Sequence, residues 1–348
     1  MENMINKDIE AFVNSVVRKD NVFPALKNPS KFPPFIISID NCLSQIHSKK
    51  LLMIPNLKHS NTVSIFSDYG GEHQESPYYT YSFLIAETGS HQLFLDEIQK
   101  IRLKYSLNAK EIEFKQLRYG PLNRALPDIL NAADWLINSL LFTLVVDKKI
   151  ISFFGPNEFQ TLKDNLNIMA SVDLNHWKPQ PTEKLLRIVH IISYLIKITA
   201  YENQMFFWLT DDDAIVSNKK QLSSAMALLQ SLMRDYLNTE NPPKLHYSTP
   251  FNNEKESNIN FNSFLAFPDL IAGTLADYFI HTKDKSNGKV SNEHVDKILS
   301  WLCHQGVMMK KQNIIFTLDT NTGNILYEDL NFQLNNQPEN IIKYYINL

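Results

Sequence analysis

The stretch NTVSIFSDYGG, residues 61–71, decides the fold that this sequence predicts. Its side chains alternate as in a β-strand, in which successive residues point to opposite faces. Phe66 and Asp68 therefore share one face, and Val63 and Ile65 share the other. The Gly-Gly pair that follows permits a sharp turn. The stretch thus predicts a strand that delivers one carboxylate, Asp68, to an edge of a sheet.

Strands and helices alternate along the rest of the chain. Runs of apolar residues predict strands at residues 62–67, 78–87, 141–146 and 205–210. Apolar residues at helical spacing predict helices at residues 93–107, 122–139, 182–204 and 222–237. Such alternation is typical of an α/β sheet with helices packed on it, in which functional residues collect at strand ends.

Three shorter segments carry further expectations. Residues 111–117, EIEFKQL, alternate like a short strand or an extended segment. The polar stretch 252–262 predicts a loop, after which Pro268 opens a helix, because a proline at the first helical position has no hydrogen bond to lose. The tail, NIIFTLDTNTGNILYEDL, predicts a β-hairpin around the turn TNTG.

The length and composition indicate one large domain with extensions. The chain has 348 residues, 44% of them hydrophobic, which is enough to bury a sizeable core. We expect an N-terminal helical extension at 1–60, the main sheet domain at 61–282, and a C-terminal helix and β-hairpin extension at 283–348.

Charge and cysteine content exclude several classes of protein. The net charge of −3 gives no global electrostatic basis for tight binding to nucleic acid or membranes. Two cysteines, Cys42 and Cys303, are too few for a zinc cluster or a disulfide framework. The N-terminus lacks the apolar centre of a signal peptide, and the most apolar segment, 185–200, is too short for a comfortable membrane span. These features predict a cytoplasmic protein without a membrane partner.

Four acidic residues fit the strand ends and helix starts of this plan: Asp68, Glu113, Asp211 and Asp269. They are far apart in the sequence, so only folding can join them. Carboxylates that gather within a few ångströms repel each other unless a cation neutralises them. Mg²⁺ and Mn²⁺ prefer such oxygen ligands, and two-metal phosphodiesterases use them. The constellation predicts hydrolysis of a phosphodiester bond with Mg²⁺ or Mn²⁺.

The motifs around these acids resemble those of the DUF3800 family, which is similar to the ribonuclease H-like superfamily. The motifs are SDYGG, the E-x-K triplet at 113–115, a strand that ends in aspartate at 210–211, and PDLIAG at 268–273. The segment LTDDDAIVSN is also similar to the ribonuclease H segment in which an aspartate follows the fourth strand, which favours Asp211 over Asp212. This chain departs from the family pattern at Tyr69 and Gly70, which replace the usual acidic and small residues, and at Pro268, where the family often has alanine.

The resemblance implies a ribonuclease H-like mixed sheet flanked by helices and a divalent-metal-dependent nuclease. It implies that Asp68, Glu113, Asp211 and Asp269 are the metal ligands and that Lys115 neutralises a phosphate or a carboxylate. The implied substrate is a nucleic acid, with DNA, RNA and hybrid all open, and the implied setting is bacterial, in defence against mobile elements or phage. A partner protein also fits this setting.

Several alternatives stay open on the sequence alone. Glu111 lies on the same side of an extended segment as Glu113 and can take its place. Asp147 also ends a predicted strand and is a candidate for an outer position of the site. Asp68 can instead hold a turn, and Asp269 can complement a helix dipole. The rival functions are a catalytically silent ribonuclease H-like module that binds protein or nucleic acid, and a hydrolase of a small phosphorylated molecule.

Overall fold

The computed structural model describes residues 15–18, 22–87, 91–108, 110–154, 177–210, 219–248, 255–282 and 292–332. Its strands form one seven-stranded mixed sheet in the order β5-β4-β1-β2-β3-β6-β7. The strands are β1 (Thr62–Gly70), β2 (Tyr78–Glu87), β3 (Ser139–Asp147), β4 (Met205–Thr210), β5 (Leu245–Ser248), β6 (Met309–Leu318) and β7 (Ile325–Asp329).

Helices cover both faces of this sheet. They are α1 (Pro34–Ser48), α2 (His91–Lys104), α3 (Gly120–Leu136), α4 (Pro179–Thr199), α5 (Lys219–Leu237), α6 (Lys255–Thr282) and α7 (Glu293–Leu302). The predicted α/β class, the mixed sheet flanked by helices and the C-terminal β-hairpin are therefore confirmed. The arrangement is consistent with a ribonuclease H-like α/β fold.

The directions of the central strands follow from the hairpin that β1 and β2 form. Strand β2 pairs antiparallel with β1 on one side and with β3 on the other, whereas β4 lies parallel to β1 and β6 lies parallel to β3. All the strand ends that carry candidate acids therefore meet at one edge of the sheet. We refer to this edge, where β1, β3 and β4 end, as the acidic edge.

Two separate hydrophobic clusters lie on the two faces. Val63 and Ile65 of β1 point into a cluster with helices α1, α4 and α5. Phe66 points into the opposite cluster with α2, α3, α6 and α7. The alternation predicted for residues 61–71 is therefore confirmed, and each face buries its own core.

Two of the shorter expectations are wrong. Residues 252–262 are not simply a loop, because α6 already begins at Lys255, so Pro268 lies inside the helix and does not open it. Residues 111–117 do not form a strand. Glu113 is extended, and Phe114–Gln116 form a single 3₁₀ turn.

The described parts of the two predicted extensions contribute to the same sheet and core as the main domain. Helix α1 packs into the first cluster with α4, and β6 pairs with β3 along eight residues. The domain boundaries at 60 and 282 stay a prediction. Most of the expected N-terminal helix, residues 1–14, lies outside the described residues.

One helical segment in the described part, Phe261–His281, is long and apolar enough to cross a membrane. However, 61% of its most apolar window is buried inside the protein. It packs on β1 and β2 through residues such as Phe264 and Ala272. This burial is that of a core helix in a soluble α/β domain. A cytoplasmic location stays a prediction.

Helix α4 is buried on nearly all sides and includes an ionisable group, His190. His190 Nδ1 lies 2.8 Å from the hydroxyl of Tyr236 on α5. Burial lowers the pKa of His190 to about 3. The histidine is therefore neutral in the folded protein at any pH near neutrality, as a core histidine should be.

We expect the free energy of unfolding to fall as the pH drops from 7.5 to 5. His190 stays neutral in the folded protein, whereas the unfolded chain protonates it below its ordinary pKa. The loss from this residue alone is about 2 kcal/mol at pH 5. Urea denaturation at the two pH values measures it. The variant His190→Gln should show a correspondingly smaller pH dependence, and an unchanged dependence would contradict this assignment.

Candidate functional site

Asp68 lies within strand β1 and not beyond its end. It pairs with Ser82 of β2, and the strand continues to Gly70. Its side chain is partly exposed, and it shares its face with Phe66, on the side of helix α6. Asp68 is therefore a strand residue, since the chain leaves β1 only at Gly71, three residues later.

The two glycines after Asp68 are required by packing. A Cβ atom at Gly70 would lie 2.6 Å from Thr80 Oγ1 and 2.9 Å from the carbonyl oxygen of Ala272. Gly71 has a φ of +77°, which side chains rarely adopt. The space beside Gly70 is therefore filled by Thr80 and helix α6.

Tyr69, which lies between Asp68 and the two glycines, points to the opposite face of the sheet from Asp68. Its hydroxyl lies 2.8 Å from Ser67 Oγ, and its ring packs against the first cluster. Because neighbouring strand residues face opposite ways, an acid at position 69 would not stand beside Asp68. The departure from the family pattern at Tyr69 thus leaves the Asp68 face unchanged.

Helix α6 runs along β1 and carries Asp269 to the level of Asp68. Phe264 stacks on Phe66 with ring centroids 5.3 Å apart, and Ala272 meets Gly70. Asp68 lies midway between Phe66 and Gly70 on β1. Residue 268, next to Asp269, lies midway between Phe264 and Ala272 on α6. Asp269 therefore occupies the same level of the interface as Asp68.

The position of Pro268 inside α6 changes the interpretation of Asp269. An acid in the middle of a 28-residue helix gains little from the helix dipole, which acts within the first and last turns. That structural explanation of Asp269 is therefore excluded. Proline also has no N–H, so the carbonyl of Phe264, four residues earlier, loses its usual helical donor beside the sheet.

Asp269 is bonded directly to the segment that carries Glu113. The backbone N–H of Phe114 donates to Asp269 Oδ2 at 2.6 Å. The ring of Phe114 sits where a side chain at Gly273 would be, one helical turn beyond Asp269. These two contacts fix Glu113, the residue before Phe114, next to helix α6.

Glu113 lies among several charged groups. Lys115 Nζ is 3.1 Å from Glu113 Oε2, and Lys115 is largely exposed while Glu113 is 26% exposed. Burial alone would raise the pKa of Glu113, but hydrogen bonds with Glu111 and Lys115 bring the pKa below its ordinary value. Glu113 is therefore ionised at neutral pH, and Glu111, the alternative to it, contributes to the lowering of its pKa.

Asp211 lies outside the described residues, so its predicted role is untested. Strand β4 ends at Thr210, which pairs with Ser67 of β1, and Asp211 is the next residue in the sequence. Asp147 is described at the end of β3. It accepts hydrogen bonds from the backbone N–H of Lys149 at 2.9 Å and of Leu318 at 3.5 Å, so it stabilises the local turn and the end of β6.

The positions of the side chains decide whether the candidate acids can hold a metal ion. Within the described ranges, no group of three or more His, Cys, Asp or Glu side chains is placed so that it can hold a metal ion. Asp68, Glu113 and Asp269 are brought to one region, but these three carboxylates do not by themselves make such a group. A metal site here requires a further ligand or a closer approach of these side chains.

Sequence reasoning missed the parts that hold the site together. Phe114 and Thr80 were not singled out, although Phe114 packs on Gly273 and Thr80 Oγ1 donates to the Ala272 carbonyl at 3.0 Å. Only the small residues of the PDLIAG motif indicated that this helix face approaches another element closely.

No protein-family model matches the chain, and no curated protein sequence matches it at a significant level. The DUF3800 resemblance therefore stays a prediction.

We expect Gly273→Ala to destabilise the protein, since the added methyl group would overlap the ring of Phe114 and push the Glu113 segment away from α6. Overpacking of this kind lowers the free energy of unfolding by about 1–3 kcal/mol. Urea denaturation measures it. Gly120→Ala is the matched control, because its nearest neighbour would be the flexible Arg124 side chain at 3.4 Å. Equal stability changes in the two variants would contradict the close contact between α6 and Phe114.

Proposed function

We propose that the acidic edge is the catalytic site of a divalent-metal-dependent nuclease. The observation that carries the proposal is the hydrogen bond from the Phe114 amide to Asp269, at the level of Asp68. It ties the Glu113 segment to Asp269, from a separate part of the sequence, on the helix whose Ala272 meets Gly70 at the end of β1. Carboxylates collected in this way favour a site for a hard cation and a phosphate ester.

The chain supplies distinct groups to this reaction. Asp68 and Asp269 are partly exposed carboxylates that would hold Mg²⁺ or Mn²⁺, with Glu113 or Glu111 beside them. When bound, such an ion activates water and stabilises the leaving oxygen. Lys115, whose side chain is 78% exposed, is placed to neutralise a phosphate of the substrate.

Asp211 completes the proposed ligand set. Its predicted place follows from the register of β4, because Thr210 pairs with Ser67, the residue before Asp68. A carboxylate immediately after this pair would supply the further ligand that the described acids need. A bacterial nuclease of mobile-element or phage defence, acting on nucleic acid with or without a partner protein, is the setting we propose.

A second candidate function is a silent module that binds nucleic acid or protein at the same edge. It is favoured by the present bonding of the acids, since Asp269 accepts a hydrogen bond from a backbone amide and Glu113 pairs with Lys115. In this function the carboxylates are structural, and the exposed lysine contacts the partner.

The nuclease proposal is tested with purified full-length protein and labelled single-stranded, double-stranded and hybrid DNA and RNA, each with Mg²⁺ or Mn²⁺. We expect Asp68→Asn and Asp269→Asn each to reduce cleavage by more than roughly 100-fold, beyond the effect of losing an outer partner of a metal site. The amide oxygen introduced by Asp269→Asn can still accept the hydrogen bond from the Phe114 N–H, so the fold should persist, as thermal unfolding would show.

Asp96→Asn is the matched control, because Asp96 is an exposed acid on α2 that bonds only locally to Gln92 among its described contacts. It should cleave as the unaltered protein does. Full activity in both Asp68→Asn and Asp269→Asn would refute the mechanism. Binding without cleavage by the unaltered protein, unchanged in these variants, would support the silent module.

A further inference from the structure

A second site lies on the opposite face of the sheet from Asp68. A cleft of about 810 Å³ opens between the β1–β2 hairpin and the start of helix α4. We call it the tyrosine cleft, and its main lining residues are Tyr69, Tyr79, Lys148, Ile151, Lys184 and Arg187. Its size is that of a typical small-molecule site.

A continuous row of tyrosines forms one wall of this cleft. Tyr69 of β1 pairs with Tyr81 of β2, and their ring centroids are 6.0 Å apart. Tyr79 lies two residues from Tyr81 on the same face of β2, roughly 7 Å along the strand. The hairpin thus presents aromatic side chains side by side at the end of the sheet.

Two lysine ammonium groups stand over this row. Lys184 Nζ lies 4.9 Å from the ring centroid of Tyr69, and Lys148 Nζ lies 5.0 Å from that of Tyr79. Attraction between a cation and an aromatic face holds each ammonium group above its ring. Lys184 is only 13% exposed and forms an ion pair with Glu72, whose side chain is 60% exposed. Lys184 is therefore held in a partly desolvated setting, where its charge attracts an anion strongly, whereas Lys148 Nζ is exposed and donates to the backbone carbonyl of His73 at 2.7 Å.

The floor of the cleft is rigid. Arg187 Nε donates to Glu183 Oε1 at 2.9 Å, and Arg187 Nη1 donates to the Tyr81 hydroxyl at 3.3 Å. Glu183 also accepts a hydrogen bond from the backbone N–H of Phe153 at 3.0 Å. This buried network ties the segment of residues 150–153, which follows β3, to α4.

The charge and polarity of the cleft select the ligand. Its three cationic and two acidic side chains give it a formal charge of +1, in a protein of net charge −3. Beside the lysines stands Ile151, which is 83% exposed, with the proline-rich start of α4 opposite. A site with ammonium groups, tyrosine rings and an exposed aliphatic wall suits an anion attached to a flat, apolar body.

We propose that the tyrosine cleft binds a nucleoside monophosphate group, with Lys148 and Lys184 on the phosphate and the base against Ile151. The group belongs either to a free nucleotide or to the phosphorylated end of a single strand. The proposal does not depend on hydrolysis by the candidate acids, because Asp68 lies on the other face of β1.

The experiment is isothermal titration calorimetry of the full-length protein in EDTA, so that no cleavage occurs. The probes are AMP, adenosine, inorganic phosphate and a 5′-phosphorylated oligothymidine. We expect AMP or the oligonucleotide to bind, and adenosine and inorganic phosphate each to bind at least tenfold more weakly. Binding of AMP indicates a free nucleotide, and binding of the oligonucleotide alone indicates a strand end.

Three variants distinguish a ligand role from a structural one. Lys148→Gln combined with Lys184→Gln should weaken binding at least tenfold, whereas Lys100→Gln, an exposed lysine on α2, should leave it unchanged. Glu72→Gln should tighten binding severalfold, because the Lys184 ammonium no longer shares its charge with a carboxylate. Thermal unfolding of each variant checks its fold.

The proposal is overturned if neither AMP nor the oligonucleotide binds at millimolar concentration. It is also overturned if the double lysine variant, while folded, binds as tightly as the unaltered protein. Equal affinity for inorganic phosphate and AMP would show a plain anion site without base recognition. That result would refute the nucleoside part and with it the proposal.

Discussion

The close approach of helix α6 to the β1–β2 hairpin is the constraint on which the acidic edge depends. Thr80 donates its hydroxyl to the carbonyl of Ala272, and Gly70 leaves the space in which that carbonyl lies. A side chain at Gly70 would force the helix outward, and Asp269 would move with it. Since the Phe114 amide is bonded to Asp269, the Glu113 segment would move as well. The contact of Ala272 with the β1–β2 hairpin thus sets the positions of Asp269 and Glu113 relative to Asp68.

Much of the sheet could be predicted because its pattern is local. Strands β2 and β4 were predicted with the bounds that the structure gives, since their apolar runs are flanked by clear breaks. The start of α6 could not be predicted in this way. Residues 255–263 are rich in Asn and Ser, which favour helices weakly, and the helix is fixed there by aromatic contacts of Phe261 and Phe264 with β1. Those contacts join residues nearly two hundred positions apart, which no local pattern contains.

The same distinction applies to the candidate site. Asp68 was assigned to the correct face by strand alternation alone. Asp269 was assigned to a helix, but its place in the first turn was wrong because the helix is longer than its motif indicates. The conformation of Glu113 depends on Phe114 seating against Gly273, a contact between distant segments. Alternating residues in a seven-residue window were insufficient to distinguish that 3₁₀ turn from a strand.

The pairing of β3 with β6 also has a consequence for how the chain is made. Ser139 pairs with Met309, and the eight-residue ladder follows from there. On a ribosome the edge of β3 that pairs with β6 therefore stays unpaired for roughly 10–30 s after the synthesis of β3, until β6 emerges. Strand β3 is buried along its whole length in the finished fold, so its nascent form presents an apolar ribbon with open hydrogen-bonding groups. During this interval the nascent chain is most exposed to misassembly and most in need of a chaperone.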